Sequence, residues 1–278
     1  MSDLLNRAAA EGYAVPAFPV WSSETLEVVL RTAMEHKAPV ILMTGCVDFL
    51  LLSPRDLSAV AKALAERFEI PAALHLDHGE CFAEVEKCLA AGYTSVMLDY
   101  STRPFAENVE ALRRVVEMAH PLGVSVEGEL GVVGRADQTS GEGIVESTLT
   151  DPAMTAAFVE QTGVDALAVS IGNAHGHYRQ LPHLDFERLA ALREAAKIPL
   201  VLHGGTGTPE ADLRQAISLG IAKVNVASEI VTAIRQSLME QWASGKNLWV
   251  PAAQAVAMQA LAKVVQKWFH MTGAAGRA

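Results

Sequence analysis

The sequence Pro71-Ala-Ala-Leu-His-Leu-Asp-His-Gly79 begins as an apolar run and ends in polar residues directly before a glycine. This pattern is typical of a buried strand at the carboxyl edge of a parallel α/β sheet. Asp77 suits proton transfer and His78 suits metal binding. Adjacent strand residues face opposite sides, so both reach one site only if the chain turns at the glycine. The alternative is that these residues have only structural roles: His75 is a packed core histidine and Asp77 caps the following helix.

Seven further apolar runs alternate with amphipathic segments along the chain. The eight predicted strands cover residues 13–20, 39–45, 71–79, 95–101, 125–131, 166–172, 199–205 and 223–228. The predicted helices cover residues 23–37, 54–68, 80–91, 104–120, 151–162, 185–196, 209–219 and 229–243, with an extra helix over 251–269. Cap residues, prolines and glycines lie where helix ends require them.

Eight strand–helix units in 278 residues, without a break in composition, predict an α/β fold. The expected architecture is one (β/α)8 TIM barrel domain over residues 1–278, with an additional C-terminal helix. A doubly wound sheet is the alternative. That fold usually has fewer strands and carries a glycine fingerprint after an early strand. This sequence has no such fingerprint there.

Charge and cysteine content narrow the possible partners. The net charge is −10 and there is no basic run, so neither a nucleic acid nor an anionic membrane is an expected partner. Cys46, Cys81 and Cys88 form no CxxC pair, which argues against a disulfide framework or a cysteine-rich zinc site. With no signal-peptide pattern and no apolar run of about 18 residues, we expect a soluble cytoplasmic protein.

Polar residues end six consecutive predicted strands, and in barrels these carboxyl ends form the active-site face. They are His75, Asp77 and His78 on the third strand, Asp99 on the fourth, Glu127 and Glu129 on the fifth, Asn173 and His175 on the sixth, His203 to Gly207 on the seventh, and Asn225 and Ser228 on the eighth. His78, His175 and His203 together match a catalytic zinc site with an open fourth position. The alternative is three unrelated histidines, each with local hydrogen bonds.

The segment Gly204-Gly205-Thr206-Gly207 precedes the helix predicted to begin near Pro209. Backbone N–H groups, a hydroxyl and a helix N-terminus form a phosphate site, and barrels often bind phosphate after strands seven and eight. Asn225 and Ser228 are placed to contribute. A simple tight turn is the alternative. The connection over residues 131–150 is unusually long and rich in glycine, which predicts a mobile lid.

The strand ends carry no lysine, and Lys223 begins the eighth strand, where we expect it at the bottom of the barrel. A Schiff-base aldolase requires a lysine near the top, so lysine-based carbonyl chemistry is disfavoured. If carbon–carbon chemistry occurs here, a metal is the expected electron sink.

Five segments carry a resemblance that runs nearly end to end. They are Tyr-Ala-Val-Pro-Ala-Phe (13–18), Leu-His-Leu-Asp-His-Gly (74–79), Gly-Val-Asp-Ala-Leu-Ala-Val-Ser-Ile-Gly-Asn-Ala-His-Gly (163–176), Pro-Leu-Val-Leu-His-Gly-Gly-Thr-Gly (199–207) and Lys-Val-Asn-Val-Ala-Ser-Glu (223–229). With these motifs the chain resembles the class II, zinc-dependent ketose-bisphosphate aldolases, and most of all their tagatose- and fructose-bisphosphate branch.

The resemblance implies reversible cleavage of a ketose 1,6-bisphosphate or ketose 1-phosphate to dihydroxyacetone phosphate and an aldehyde. It implies that His78, His175 and His203 bind catalytic Zn²⁺ and that Asp77 is the base on the C4 hydroxyl. Residues implied to surround the phosphate are Gly176, Gly204, Thr206, Asn225 and Ser228. Asp99 and Glu129 match positions that hold a second or displaced metal ion. A monovalent cation (Na⁺ or K⁺) near the phosphate and a homodimer or homotetramer are also implied.

The sequence departs from the family pattern at three places. Residues 18–24 lack the two usual asparagines, and Met43-Thr44-Gly45-Cys46 replaces a small, serine-rich loop. In the lid, Asp137 is the predicted acid and Glu142 the alternative. These departures leave the aldehyde open, so a deoxy, keto-acid or sulfonated ketose 1-phosphate is an alternative substrate. A non-catalytic sugar-phosphate-binding paralogue is an alternative of another class, and a zinc hydrolase is disfavoured because strand one has no His-x-His.

Overall fold

The computed structural model describes residues 1–135, 146–178, 181–245 and 249–278. Eight parallel strands pair in chain order, and the last pairs with the first to close a barrel. They are β1 (Val15–Pro19), β2 (Val40–Thr44), β3 (Ala72–Gly79), β4 (Ser95–Leu98), β5 (Ser125–Leu130), β6 (Ala166–Val169), β7 (Leu200–Leu202) and β8 (Ile221–Asn225). The predicted α/β TIM barrel is confirmed.

Ten α-helices accompany the barrel within the described part of the chain. They are α1 (Ser2–Glu11), α2 (Ser23–His36), α3 (Pro54–Phe68), α4 (Phe82–Ala90), α5 (Phe105–Ala119), α6 (Pro152–Thr162), α7 (Phe186–Ala196), α8 (Glu210–Ser218), α9 (Ser228–Ala243) and α10 (Val250–Met271). The cap residues act as predicted: the Ser22 and Ser53 side chains accept backbone N–H bonds at the starts of α2 and α3. None of these helices is long and apolar enough to cross a membrane.

Helix α1 and a two-stranded sheet were not predicted from the sequence. Helix α1 lies at the amino end of the barrel, since the backbone N–H of Ser2 donates to the hydroxyl of Ser125 at the start of β5. The small sheet pairs Gly134–Arg135 with Ala174–His175 in parallel. Two residues per strand are too few to show an alternating pattern, so periodicity could not reveal them.

The additional C-terminal helix, α10, packs its buried face on the barrel near β1. Phe269 meets Phe18 edge to face, with ring centroids 5.7 Å apart. The indole N–H of Trp268 donates to Glu229 Oε2 at 2.8 Å, which satisfies the one polar atom of this buried ring. Glu229 lies in the first turn of α9, so α10 also supports the loop that follows β8.

Gly204, the second residue after β7, can carry no side chain. Its φ is 65°, and an added Cβ would clash with the Ala174 carbonyl, lying 2.5 Å from its carbon atom. We expect Gly204→Ala to lower the melting temperature at least twice as much as Gly12→Ala. Gly12 has a similar φ of 73° but nothing within 4 Å of its Cβ position, so it reports the cost of the backbone conformation alone, about 1–2 kcal/mol. Equal shifts by calorimetry would contradict the expected clash.

Candidate metal centre and active site

An irregularity at the end of β3 lets two adjacent residues face one site. The register against β4 shifts between Leu76 and Gly79, and His78 has a φ of 47°. A non-glycine residue in this conformation is uncommon and marks a local turn of the chain. Asp77 is not a helix cap, because α4 begins at Phe82 and its N-cap residue is Cys81. Asp77 Oδ1 instead accepts a bond of 2.9 Å from Asn225 Nδ2. His75 is the packed core histidine of the structural alternative: it is fully buried, with Nδ1 2.8 Å from Ser95 Oγ.

The structure brings the three predicted histidine ligands together. His78 is the last residue but one of β3, His175 lies in the small sheet after β6, and His203 directly follows β7. One ring nitrogen of each lies within 4.8 Å of those of the other two. The His78 ring centroid is 5.0 Å from that of His175 and 4.6 Å from that of His203. These residues come from distant parts of the sequence and share one face of the barrel because parallel strands end there together.

Two of the three rings are oriented by carboxylates. His78 Nδ1 lies 2.7 Å from Asp99 Oδ2, and His203 Nε2 lies 2.8 Å from Glu127 Oε1. Their other nitrogens, His78 Nε2 and His203 Nδ1, are buried and have no hydrogen-bond partner among the described residues. A carboxylate that fixes one imidazole nitrogen and leaves the other open is the usual setting of a metal-bound histidine. The residues therefore fit a divalent metal ion.

The carboxylates of Asp77, Asp99 and Glu129 surround His78 at the predicted metal site. Burial lowers the pKa of His78, but Asp77 and Asp99 outweigh it and raise that pKa to about 10. Burial and the neighbouring Asp99 raise the pKa of Glu129 to about 8. His78, Asp99 and Glu129 also form a second group whose ligand atoms lie within 4.8 Å of one another. An excess of buried negative charge favours a cation here, whether a proton or a metal ion.

A buried ion pair lies beneath the histidines. Lys223 Nζ is 2.7 Å from Glu127 Oε2 and 3.9 Å from Asp77 Oδ1, and both Lys223 and Glu127 are 0 % exposed. We expected Lys223 at the bottom of the barrel, and for its charged group this was wrong. The long side chain extends inward from β8 and brings the ammonium group close to Glu127 and Asp77. Burial opposes ionisation of Asp77, but His78 and Lys223 outweigh it and hold the pKa of Asp77 well below its usual range.

We expect Lys223→Met to lower the free energy of unfolding by about 3–5 kcal/mol, because it leaves the Glu127 carboxylate charged and unpaired. Adding Glu127→Gln should recover part of that loss, since the double variant has no buried charge at this position. A double-mutant cycle from urea unfolding measures the coupling. The Glu210–Arg214 pair, also 2.7 Å apart but exposed, is the control and should show much weaker coupling. Strictly additive losses for Lys223 and Glu127 would contradict the expectation.

All five residues predicted to surround a phosphate line one cavity. They are Gly176, Gly204, Thr206, Asn225 and Ser228, joined by Asp77 and Arg135. Ser228 is the first residue of α9. The glycine segment predicted that the N-terminus of α8 would lie at this cavity. In the structure the helix N-terminus there is that of α9. Helix N-termini attract anions, so the cavity suits a phosphate.

A second, wider groove adjoins this cavity. Asp77, Met43, Arg135 and Ala227 line both, so the groove and the cavity meet at these four residues. Residues that follow β1 and β2 also line this groove, including Trp21, Asp48, Leu50 and Leu51. Three of these follow Met43 to Cys46, one of the segments where the sequence departs from the family pattern.

Arg135 was missed as a candidate site residue. It lies in the small sheet, where its register partner is His175, and this pairing brings it to the cavity. Its position in a glycine-rich connection gave no periodic signal. The predicted lid acid Asp137 and its alternative Glu142 lie outside the described residues.

Comparison with known proteins gives consistent findings. The family model "Fructose-bisphosphate aldolase class-II" matches residues 1–277. The YdjI aldolase from Escherichia coli K12 is 34% identical, with 100% of this chain and 98% of that chain covered and a TM-score of 0.89. A candidate fructose-1,6-bisphosphate aldolase from Coccidioides immitis is 26% identical, with coverages of 99% and 96% and a TM-score of 0.86. The fructose-bisphosphate aldolase of Campylobacter jejuni, 21% identical, shares the fold at a TM-score of 0.83 over 99% of this chain and 95% of that one.

Proposed function

Since this chain belongs to the class II fructose-bisphosphate aldolase family and is a lyase that performs aldol cleavage, we propose that it is zinc-dependent and acts on a ketose phosphate. The substrate is a ketose 1,6-bisphosphate or ketose 1-phosphate, and the products are dihydroxyacetone phosphate and an aldehyde. The open nitrogens of His78 and His203 carry the proposal, since they are buried, oriented by carboxylates and directed to the same place as His175.

In this proposal His78, His175 and His203 hold the zinc ion. When bound, a divalent metal supplies positive charge that polarises the ketose carbonyl and lowers the barrier to breaking the adjacent carbon–carbon bond. Asp99 and Glu127 fix the rings of His78 and His203 from behind. Asp99 and Glu129 are also proposed to hold a second or displaced metal ion, because they form a ligand group with His78.

Asp77 is proposed to move the proton. Asp77 lines both the cavity and the groove, and the two halves of a ketose phosphate would join where these meet. In cleavage it removes the proton of the C4 hydroxyl, and in condensation it returns that proton to the new alkoxide. Asn225 donates to Oδ1 at 2.9 Å and holds the carboxylate in position. The lid acid of this proposal remains Asp137, with Glu142 as the alternative.

The cavity lined by Gly176, Gly204, Thr206 and Ser228 is proposed to hold the phosphate of the dihydroxyacetone half. Backbone N–H groups at the start of α9, the hydroxyls and Arg135 supply donors and positive charge. A monovalent cation, Na⁺ or K⁺, near this phosphate and a homodimeric or homotetrameric assembly belong to the same proposal. Both follow from the family resemblance.

The direct test incubates zinc-loaded protein with fructose 1,6-bisphosphate and with tagatose 1,6-bisphosphate and measures the dihydroxyacetone phosphate released. Cleavage that stops with a chelator and returns with zinc is expected. Fast cleavage of one sugar also gives the C4 preference. Full activity of the chelated, metal-free protein would overturn the zinc dependence.

A further inference from the structure

We propose that the groove beside Asp77 takes an uncharged aldehyde with an apolar end, so that a second phosphate is not the preferred distal group. This inference rests on the proposed aldol cleavage and adds the chemical class of the aldehyde half. It places the preferred substrate among ketose 1-phosphates whose far end is a methyl or another small alkyl group.

The position of the groove identifies what it would bind. Asp77, Met43, Arg135 and Ala227 are shared with the phosphate cavity, so the groove is a direct continuation of it. A substrate whose phosphate occupies the cavity and whose reacting bond lies at Asp77 can extend along this groove. Its lining therefore contacts the aldehyde half and discriminates among aldehydes.

Most of the surface that lines the groove is apolar. Leu50 is 80 % exposed and Leu51 is 75 % exposed, and Val231 and Trp21 lie on the same groove. Exposed leucines of this size gain free energy when an apolar group covers them. A distal methyl group buries against this lining, whereas a phosphate would have to give up water against leucine and valine side chains, which offer it no hydrogen bond.

The charges along the groove also oppose a distal phosphate. Four carboxylates line it, those of Asp48, Asp77, Glu80 and Asp99, against two basic side chains among the described lining residues, Arg135 and His78. Arg135 also lines the phosphate cavity, so it lies at the end of the groove nearer the dihydroxyacetone half. A dianionic distal group would be repelled here, and a neutral one would not.

A series of aldehydes that differ at one carbon tests the inference in the condensation direction with dihydroxyacetone phosphate. Lactaldehyde, glyceraldehyde, tartronate semialdehyde and glyceraldehyde 3-phosphate present a methyl, a hydroxymethyl, a carboxylate and a phosphate ester at C3. We expect kcat/KM for lactaldehyde to exceed that for glyceraldehyde 3-phosphate by at least about tenfold, the size of effect that one group in a pocket produces. A preference for either anionic aldehyde overturns the inference.

A second measurement separates failure of the inference from failure of the proposed function. Exchange of a hydroxymethyl proton of dihydroxyacetone phosphate with D2O reports proton abstraction without any aldehyde. Exchange combined with a preference for an anionic aldehyde leaves the aldol chemistry in place and overturns only the aldehyde class. No exchange by the zinc-loaded protein overturns both.

A charge placed in the groove provides the converse test. We expect Leu51→Arg to raise kcat/KM for glyceraldehyde 3-phosphate by about tenfold and to lower it for lactaldehyde, because the new guanidinium offers bidentate bonds to the phosphate. Leu122→Arg is the matched control: Leu122 is also exposed but does not line the groove, so neither value should change. If Leu51→Arg leaves the ratio of the two values unchanged, the groove does not hold the distal group and the inference fails.

Discussion

Asp77→Asn should lower kcat for aldol cleavage by about 10²–10⁴-fold while the protein keeps its metal, the range expected when a proton-transfer group is removed. The asparagine side chain has nearly the same shape, so the bond to Asn225 at one oxygen position can persist. It cannot accept the C4 hydroxyl proton, however, because its amide is not basic. Metal content and the dihydroxyacetone phosphate released in a single turnover measure the two effects separately.

Asp99→Asn is the comparison for this variant. Asp99 bonds to His78 Nδ1 at 2.7 Å, so its loss should weaken metal affinity by about 10–100-fold rather than remove the base. Excess zinc should therefore restore much of the Asp99→Asn activity and none of the Asp77→Asn activity. If excess zinc rescues both variants equally, Asp77 acts through the metal site, and its assignment as the base is wrong.

His203→Ala should abolish stoichiometric zinc binding and lower kcat/KM by at least about a thousandfold, because the metal supplies several kcal/mol of transition-state stabilisation. The substitution removes the nitrogen that faces His78 and His175. It also leaves Glu127 with Lys223 at 2.7 Å and His75 at 3.7 Å as its close partners. Zinc content by atomic absorption, together with the cleavage rate, tests the expectation. His270→Ala, an exposed histidine on α10, is the control and should retain both.

A stability measurement must accompany the His203 variant, since Glu127 is buried and loses a hydrogen bond. His203→Gln places an amide nitrogen near the position of the ring Nε2, so it can still offer a donor to Glu127 and separates loss of the metal from loss of packing. A folded His203→Gln protein that binds no zinc yet cleaves substrate at the parental rate would contradict the metal assignment.

Much of the fold could be predicted from the sequence because strand and helix periods alternate clearly around caps and glycines. The predicted strand over residues 71–79 became β3 (Ala72–Gly79), and the helix over residues 54–68 has those same bounds. The convergence of His78, His175 and His203 followed from the closed barrel, which places the ends of distant strands together.

The remaining features depend on tertiary geometry that no local pattern records. The turn at His78 that lets Asp77 share its site depends on a register shift against β4. The contact of Lys223 with Glu127 depends on how far a long side chain extends inside the barrel. Arg135 reaches the cavity because Gly134–Arg135 pairs with Ala174–His175 in the small sheet.

That short pairing of Arg135 with His175 has a thermodynamic consequence. Arg135 lines the phosphate cavity and His175 belongs to the proposed zinc site, so the paired backbone connects the two sites directly. If occupancy of one site shifts this pairing, the two binding equilibria are linked. Linkage is reciprocal, so any factor by which substrate tightens zinc binding must equal the factor by which zinc tightens substrate binding. Titrating zinc with and without a dihydroxyacetone phosphate analogue gives that common factor directly.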